Sequence, residues 1–251
     1  MIRALLSTIS FVAATIVGSL LAVVFGAIDK TGDGVFWLAR LWSRVLLGVP
    51  GVKLELTMRT PLDPKRPYVF MANHASMIDI WAVFILIPKS FRFIAKKQLS
   101  YIPLFGWAMG AGRFIFIDRQ NPVAAHRSIQ EAARRIRNGQ SVVIFPEGTR
   151  TRDGTLRPFK KGGFHLAIDS GVDIVPIAIR GSRALMPPGS PLIRAGRVSV
   201  EVGAPIPTAG LTASDREALV TRVRDQIAAM LISPSARSAA VAAETARQTR
   251  Q

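Results

Sequence analysis

From Ala4 to Ile28 the chain runs for 25 residues without a charged side chain, and no other feature restricts its folding so severely. As one helix this stretch is roughly 37 Å long, against a hydrocarbon core of about 30 Å. By length it is a membrane segment. Ser7, Thr8, Ser10, Thr15, Gly18 and Ser19 dilute its apolar character, so a half-inserted hairpin arm that turns at residues 29–34 is a second form open to it. A cleaved secretory signal is a third, but the apolar core of such a signal is typically about 7–15 residues and no A-x-A-like site closes this one. Lys30, Arg40, Arg44 and Lys53 follow the segment, whereas only Arg3 and the amino terminus precede it. The positive-inside bias then puts the C-terminal bulk on the cytoplasmic face, which in a bacterium is that of the inner membrane.

Residues 35–47 are mostly apolar, with Trp37, Trp42, Arg40 and Arg44 among them. That composition suits a helix at the lipid headgroup level and equally a core helix. At the other end, residues 233–251 are Ala-rich and polar with no apolar stripe to bury, as expected of a flexible tail. The expected organisation is a membrane-associated helical segment over residues 1–50, one catalytic domain over 51–232 and the tail.

The charge balance bears on function. With 33 Lys and Arg against 16 Asp and Glu the net charge is +17, yet 49% of the residues are hydrophobic, which excludes a disordered basic chain. The absence of cysteine excludes a disulfide scaffold, a thiolate nucleophile and a Cys-ligated zinc site. Strand-like runs occur at residues 68–71, 114–117, 142–145 and 174–179, and Val198, Val200 and Val202 alternate as in a half-buried strand. Helical patterns lie between them. One starts at Asn121 as N-cap with Pro122 behind it, passes through Ala125, Ile129, Ala132 and Ile136, and stops at Gly139. Another reads as a capping box of Ser214 with Glu217, followed by Leu219, Val223, Ile227 and Met230. No internal repeat is present. The alternation implies an α/β fold with a central mixed sheet flanked by helices.

Two loops carry candidate chemistry. After the strand at 68–71 come Asn73, His74, Ala75, Ser76, Met77, Ile78 and Asp79. On one continuous helix His74 and Asp79 would be roughly 140° apart, so they meet only if the helix begins between them. The S-x-x-D spacing of Ser76 and Asp79 would start it at Ser76, leaving His74 on the turn, where Asp79 can fix its tautomer and support general-base catalysis. An isolated H-x-x-x-x-D is weak, because a capping carboxylate beside an unrelated histidine has the same spacing. The second loop, Phe145, Pro146, Glu147, Gly148, Thr149 and Arg150, follows a strand at its carboxyl end, where ligands of open α/β sheets bind. Arg150 offers a planar donor fork for a phosphate and Thr149 a hydroxyl. Arg152, Arg157, Lys160 and Lys161 follow, a pattern that a solvated basic loop also shows.

In combination these motifs are specific. Asn73 to Asp79, GRFIFIDR at 112–119, FPEGTR at 145–150 and VPIAI at 175–179 stand in the order and spacing of the four glycerolipid acyltransferase motifs. The chain resembles the 1-acylglycerol-3-phosphate acyltransferase family, the lysophosphatidic acid acyltransferases, over roughly residues 66–180. Ala95, Lys96, Lys97 and IPLFGW at 102–107 look like the family's link between its first two motifs, and Ala75 stands where the family most often has Gln. The resemblance implies transfer of an acyl chain from an acyl-CoA or acyl carrier protein thioester to the sn-2 hydroxyl of lysophosphatidic acid, giving phosphatidic acid for phospholipid synthesis. It implies His74 as general base, Asp79 as its orienting group and Lys96 as oxyanion donor, with Lys97 in that role if the register is off by one. Arg119, Glu147, Gly148, Thr149 and Arg150 would bind the acceptor. No acyl-enzyme is required, so Ser76 is a helix cap. No metal or cofactor is implied, and His126 and His165 are incidental.

The rival readings are weaker. A nucleic-acid binder would suit the charge, but no zinc, homeodomain or RNP-type signature is present and such a protein has no use for the anchor. Phosphorylated substrates and anionic lipid headgroups account for the basicity instead. A metal hydrolase using His74, Asp79 and Glu147 would have a single histidine, which is sparse for a transition metal. A basic membrane-bound binding protein and an acyltransferase for another lyso-lipid, such as lyso-ornithine lipid, are the remaining alternatives.

Overall fold

Val69, Phe70, Met71 and Ala72 are all buried, yet they serve two cores. Phe70 and Ala72 enter one and Val69 and Met71 the other, because successive strand side chains point to opposite faces. Val143 and its neighbours Val142 and Ile144 divide in the same way, as do Val175 and Ile177 against Ile174 and Ala178. Strands covered on both faces read as unbroken apolar runs, which is the pattern the sequence carries at these positions.

The computed structural model describes residues 2–118 and 121–232. Two helices, α1 (Ile2–Ile28) and α2 (Asp33–Gly48), precede β1 (Val52–Met58), β2 (Val69–Ala72), α3 (Ile78–Leu86), β3 (Phe91–Lys96), α4 (Phe105–Ala111) and β4 (Ile115–Ile117). There follow α5 (Pro122–Arg137), β5 (Ser141–Ile144), α6 (Gly162–Ser170), β6 (Ile174–Arg180), the single turn α7 (Ser182–Leu185), β7 (Gly196–Val202) and α8 (Arg216–Leu231). The seven strands form one sheet in the order β1-β7-β6-β2-β5-β3-β4. Every neighbouring pair is parallel except β6 with β7, so the sheet is mixed. The first core lies under α2 and α3, the second under α5, α6 and α8.

Local signals set several boundaries. The Asn121 side chain accepts from Ala124 N at 3.0 Å with Pro122 at the first helical position, and Gly139 ends the α5 turn at φ 95°. Leu219, Val223, Ile227 and Met230 all face the core from α8. Its capping box is not Ser214 with Glu217: Thr212 and Asp215 form it two residues earlier, around a short 3₁₀ turn, and Glu217 pairs instead with Lys161 and Arg216. Two strands, β1 and β3, are absent from the sequence reading, and the expected tail at 233–251 lies outside the described residues.

The N-terminal helices are packed onto the sheet domain. α2 buries Val35, Phe36, Ser43, Leu46 and Leu47 and exposes Trp37, Leu41 and Val45, so it is a core helix on one side and an apolar surface on the other. Arg40 does not reach for headgroups: it is buried and donates to the carbonyls of Ile85 and Ile87 at 2.7 and 3.0 Å, closing the carboxyl end of α3. The turn after α1 is held by Asp29, which accepts from Thr31 N, Thr31 Oγ1 and Gly34 N at 2.8, 2.6 and 2.6 Å. Buried Arg92 of β3 clamps that turn through Thr31 O and Asp33 Oδ1 at 3.0 and 2.9 Å. α1 crosses α2 and α4 on small residues, with Trp42 Nε1 bonded to Thr15 Oγ1 at 3.2 Å and Gly26 set against Ala111 with no room for a Cβ. Residues 8–28 of α1 are long and apolar enough to cross a membrane.

Candidate active site

The parallel pairing of β2 with β5 aligns Met71 with Ile144. Three residues beyond each partner stand His74 and Glu147, so both loops leave the sheet at one level. The geometry that follows is closely braced. His74 N donates to Glu147 Oε1 at 2.7 Å, Arg157 N donates to Glu147 Oε2 at 3.0 Å, and Thr151 N donates to His74 O at 2.9 Å. Phe145 stacks on the imidazole at 4.0 Å between centroids. Gly148 turns the second loop at φ 75°, where a side chain would be strained. Asn73 joins the end of β2 to β6 by accepting from Ile179 N and donating to Ile179 O at 2.7 and 3.0 Å.

His74 Nδ1 lies 2.9 Å from Asp79 Oδ2, and Asp79 is fully buried. The same oxygen accepts from Ala75 N and Ser76 N at 2.7 and 2.8 Å. Three donors therefore converge on one oxygen at a helix amino end. An ionised carboxylate only accepts, so Nδ1 carries the proton and Nε2 keeps its lone pair. Among the described residues Nε2 has no partner. The helix starts at Ile78, two residues later than the sequence spacing suggests. Asp79 still makes the backward half of the cap to Ser76 N, while Ser76 Oγ accepts from Ile78 N at 3.2 Å and donates to Met186 O at 2.7 Å. Ser76 is wholly buried in this bracing.

Glu147 occupies a different place from that expected of an acceptor ligand. It is buried, both its oxygens are taken by backbone amides, and burial pushes its carboxyl above the ordinary range while those two amides pull it back. It positions His74. Thr149 is exposed and accepts from Arg157 Nη1 at 3.0 Å. Arg150 has no ion-pair partner among the described residues. Arg119 lies outside the described residues. At the end of β3, Lys96 is exposed and Lys97 is not its equivalent: Lys97 Nζ bonds Asp118 Oδ2 at 3.1 Å, which raises its pKa. The sequence reading gave no role to Asn73, Phe145 or Arg157. An amide directly ahead of the histidine and an aromatic directly ahead of Pro146 were the available signals.

His74, Lys96, Gly148 and Arg150 all line one cavity of about 370 Å³. Apart from Thr15 and Ser19, the rest of its wall is apolar, built largely by Gly18, Ala22 and Trp42 of α1 and α2, Trp81 and Phe84 of α3, and Phe105 and Met109 of α4. The site thus pairs a histidine–carboxylate couple with two cationic side chains in the lining of a largely apolar chamber.

Residues 53–180, just over half of the chain, match the family model Acyltransferase. The chain belongs to the acyltransferase family. The loops that carry His74 to Asp79 and Phe145 to Arg157 fall inside the matched segment. Among curated relatives of this acyltransferase, the 1-acyl-sn-glycerol-3-phosphate acyltransferase of Cocos nucifera is 40% identical over 141 residues, 56% of this chain and 46% of its own length. A chloroplastic 1-acyl-sn-glycerol-3-phosphate acyltransferase of Arabidopsis thaliana is 35% identical over 68% of this chain and 48% of its own length. The acyltransferase described here thus spans about half the length of these relatives. Its fold is that of the 1-acyl-sn-glycerophosphate (LPA) acyltransferase of Thermotoga maritima, with a TM-score of 0.75 at 24% identity over 90% of this chain and 93% of that one.

Proposed function

We propose that this acyltransferase moves an acyl chain from an acyl-CoA or acyl carrier protein thioester to the sn-2 hydroxyl of 1-acylglycerol-3-phosphate, giving phosphatidic acid. The observation that carries the reading is the His74–Asp79 pair, with His74 lining a largely apolar cavity that Lys96 and Arg150 also line. His74 Nε2 takes the acceptor hydroxyl proton as that oxygen attacks the thioester carbonyl. Asp79 keeps the imidazole in the Nδ1–H tautomer and stabilises the imidazolium that results. Collapse of the tetrahedral intermediate breaks the carbon–sulfur bond, and the departing thiolate takes the proton from the imidazolium. Lys96 supplies positive charge to the oxyanion; it is favoured over Lys97 because it lines the cavity, whereas Lys97 is bonded to Asp118. Arg150, with Thr149 and Arg119, holds the acceptor phosphate. The acyl chain lies in the apolar part of the cavity, with the thioester carbonyl beside His74 and Lys96.

Membrane attachment follows from α1. Packing contacts along its inner side run from Phe11, edge-on to Trp81, through Thr15 and Ala22 to Gly26. A helix clasped by its own domain for roughly 22 Å is not wrapped by lipid over that length. We therefore infer that α1 lies along the cytoplasmic membrane surface with its outer face in lipid, neither a full span nor an inserted hairpin arm. An acceptor panel tests the proposal: purified full-length protein with acyl-CoA and acyl carrier protein donors should acylate lysophosphatidic acid in strong preference to monoacylglycerol and lyso-ornithine lipid. Equal rates with all three acceptors would overturn the phosphate assignment.

A further inference from the structure

The apolar surface of this protein extends past the helix that suggests membrane attachment. α1 exposes Val17, Leu20, Val24 and Ile28, and α2 exposes Trp37, Leu41 and Val45 at intervals of four. Beyond them, Tyr101 and Ile102 stand on the corner before α4, and Trp107 stands on α4 itself, with Tyr101 67% and Trp107 60% exposed. None of these three lines the cavity or braces the catalytic loops. α4 lies beside α1 and runs in the same direction, since Ala22 clusters with Ala108 and Gly26 meets Ala111. Trp107 is one turn before Ala111 on the same helix face, so it emerges along the flank of α1.

The corner is built to hold these side chains out. Leu104 adopts φ 60° and ψ −57°, closed by Phe105 N donating to Pro103 O at 2.7 Å. This three-residue turn is strained for a non-glycine residue, and such strain persists only where the surroundings enforce it. Gly106 N donates to Ile102 O at 2.7 Å, and a Cβ at Gly106 would collide with Ser100 O.

We propose that Tyr101, Ile102 and Trp107 are a second membrane foot, seated with the outer faces of α1 and α2 in the headgroup layer of an anionic bilayer. A lipid surface fits better than a protein partner for two reasons. The patch continues the outward apolar face of α1, and its Tyr and Trp are the side chains that favour the headgroup level. Lys30, Arg44 and Arg113 are exposed on the elements that carry the patch, and the chain as a whole bears +17, so anionic headgroups complement its rim. The seam between α1 and α4 then faces the bilayer directly, and an apolar chain passes from lipid to the cavity wall of Ala22, Ala108 and Met109 without crossing water. The inference rests on the membrane attachment proposed above and is independent of the acyl-transfer chemistry.

The chain has no cysteine, so single labelling sites can be introduced cleanly. Full-length Ile102→Cys, Trp107→Cys, Val24→Cys and Ser214→Cys proteins, each carrying an environment-sensitive fluorophore, would be mixed with phosphatidylcholine–phosphatidylglycerol vesicles containing a headgroup-level spin-labelled lipid. Labels at 102, 107 and 24 should all lose most of their fluorescence to the quencher, and the label at 214, beside α8 on the other side of the sheet, should keep it. The proposal is overturned if 24 is quenched while 102 and 107 respond like 214. It is also overturned if 107 is already shielded from aqueous iodide without vesicles, which would assign the patch to a second copy of the chain. The unlabelled Tyr101→Ser/Trp107→Ser protein should bind such vesicles about tenfold more weakly, a change of about 1.4 kcal/mol. Its turnover with a water-dispersed short-chain acceptor should be unchanged, so a failure of the proposed chemistry would be seen separately.

Discussion

At the strand rim, His74, Asp79 and Glu147 are fixed by hydrogen bonds of 2.7–3.0 Å, most of them to backbone amides. In the helical layer Trp42 bonds Thr15 and the Asp29 turn bonds Gly34, while small residues and ring edges make the rest of the described α1–α2 packing. The rim hides its charge and the layer exposes its apolar surface. The difference fits the two tasks proposed above. Proton transfer tolerates little error in donor position, and the groups proposed for it are tied to strand ends and a helix start. Holding an apolar chain requires volume and a dry wall, which packing supplies without directional bonds.

The largest expected effect breaks the comparison at the rim. His74→Ala should lower kcat by about 10²- to 10⁴-fold in a protein that still folds and binds membranes. Near wild-type turnover in a folded His74→Ala protein would mean that the braced histidine is structural, like Ser76. Next in size, Arg150→Lys should raise KM for lysophosphatidic acid by about tenfold, with little change for the thioester donor, because an ammonium cannot reproduce the planar two-point grip on a phosphate. A defect confined to the donor KM would move Arg150 to the other substrate.

On the layer side the readout is stability. Arg40→Met leaves the carbonyls of Ile85 and Ile87 without their donor and should cost about 2–3 kcal/mol, seen as a melting temperature lower by roughly 5–10 °C. The smallest effect concerns the Asp29 turn. Hydrogen bonds from Thr31 and Gly34 lower the Asp29 pKa from 3.8 to about 2. A depressed carboxylate pKa stabilises the folded state above the unfolded value, and that contribution is lost as pH falls through the folded value. Wild type should therefore exceed Asp29→Ala modestly in thermal stability at neutral pH, and the part of that advantage due to ionisation should fade between about pH 3.8 and pH 2. An advantage that instead grew on acidification would overturn the turn's electrostatic role.

Where the chain's own neighbourhood decides structure, the sequence was readable. The Asn121 cap, the α8 stripe of Leu219, Val223, Ile227 and Met230, the apolar runs of β2, β5 and β6, and the meeting of His74 with Asp79 across a helix start all depend on residues a few positions apart. Motif order was likewise enough to point to the acyltransferase family. The strands β1 and β3 were not readable. β1 is a half-exposed edge with charges in its alternation, and β3 contains Arg92, whose burial makes sense only once the α1–α2 turn arrives to accept its donors. The same holds for Glu147, whose residue type suggests a ligand but whose partners, His74 N and Arg157 N, come from another strand's loop and from ten residues downstream. Nor could the cavity be foreseen, since its walls come from helices separated by most of the N-terminal half. Parallel strands have no local turn to set their register, so the alignment of Met71 with Ile144 that levels the loops of His74 and Glu147 was chosen by the packing of both cores together.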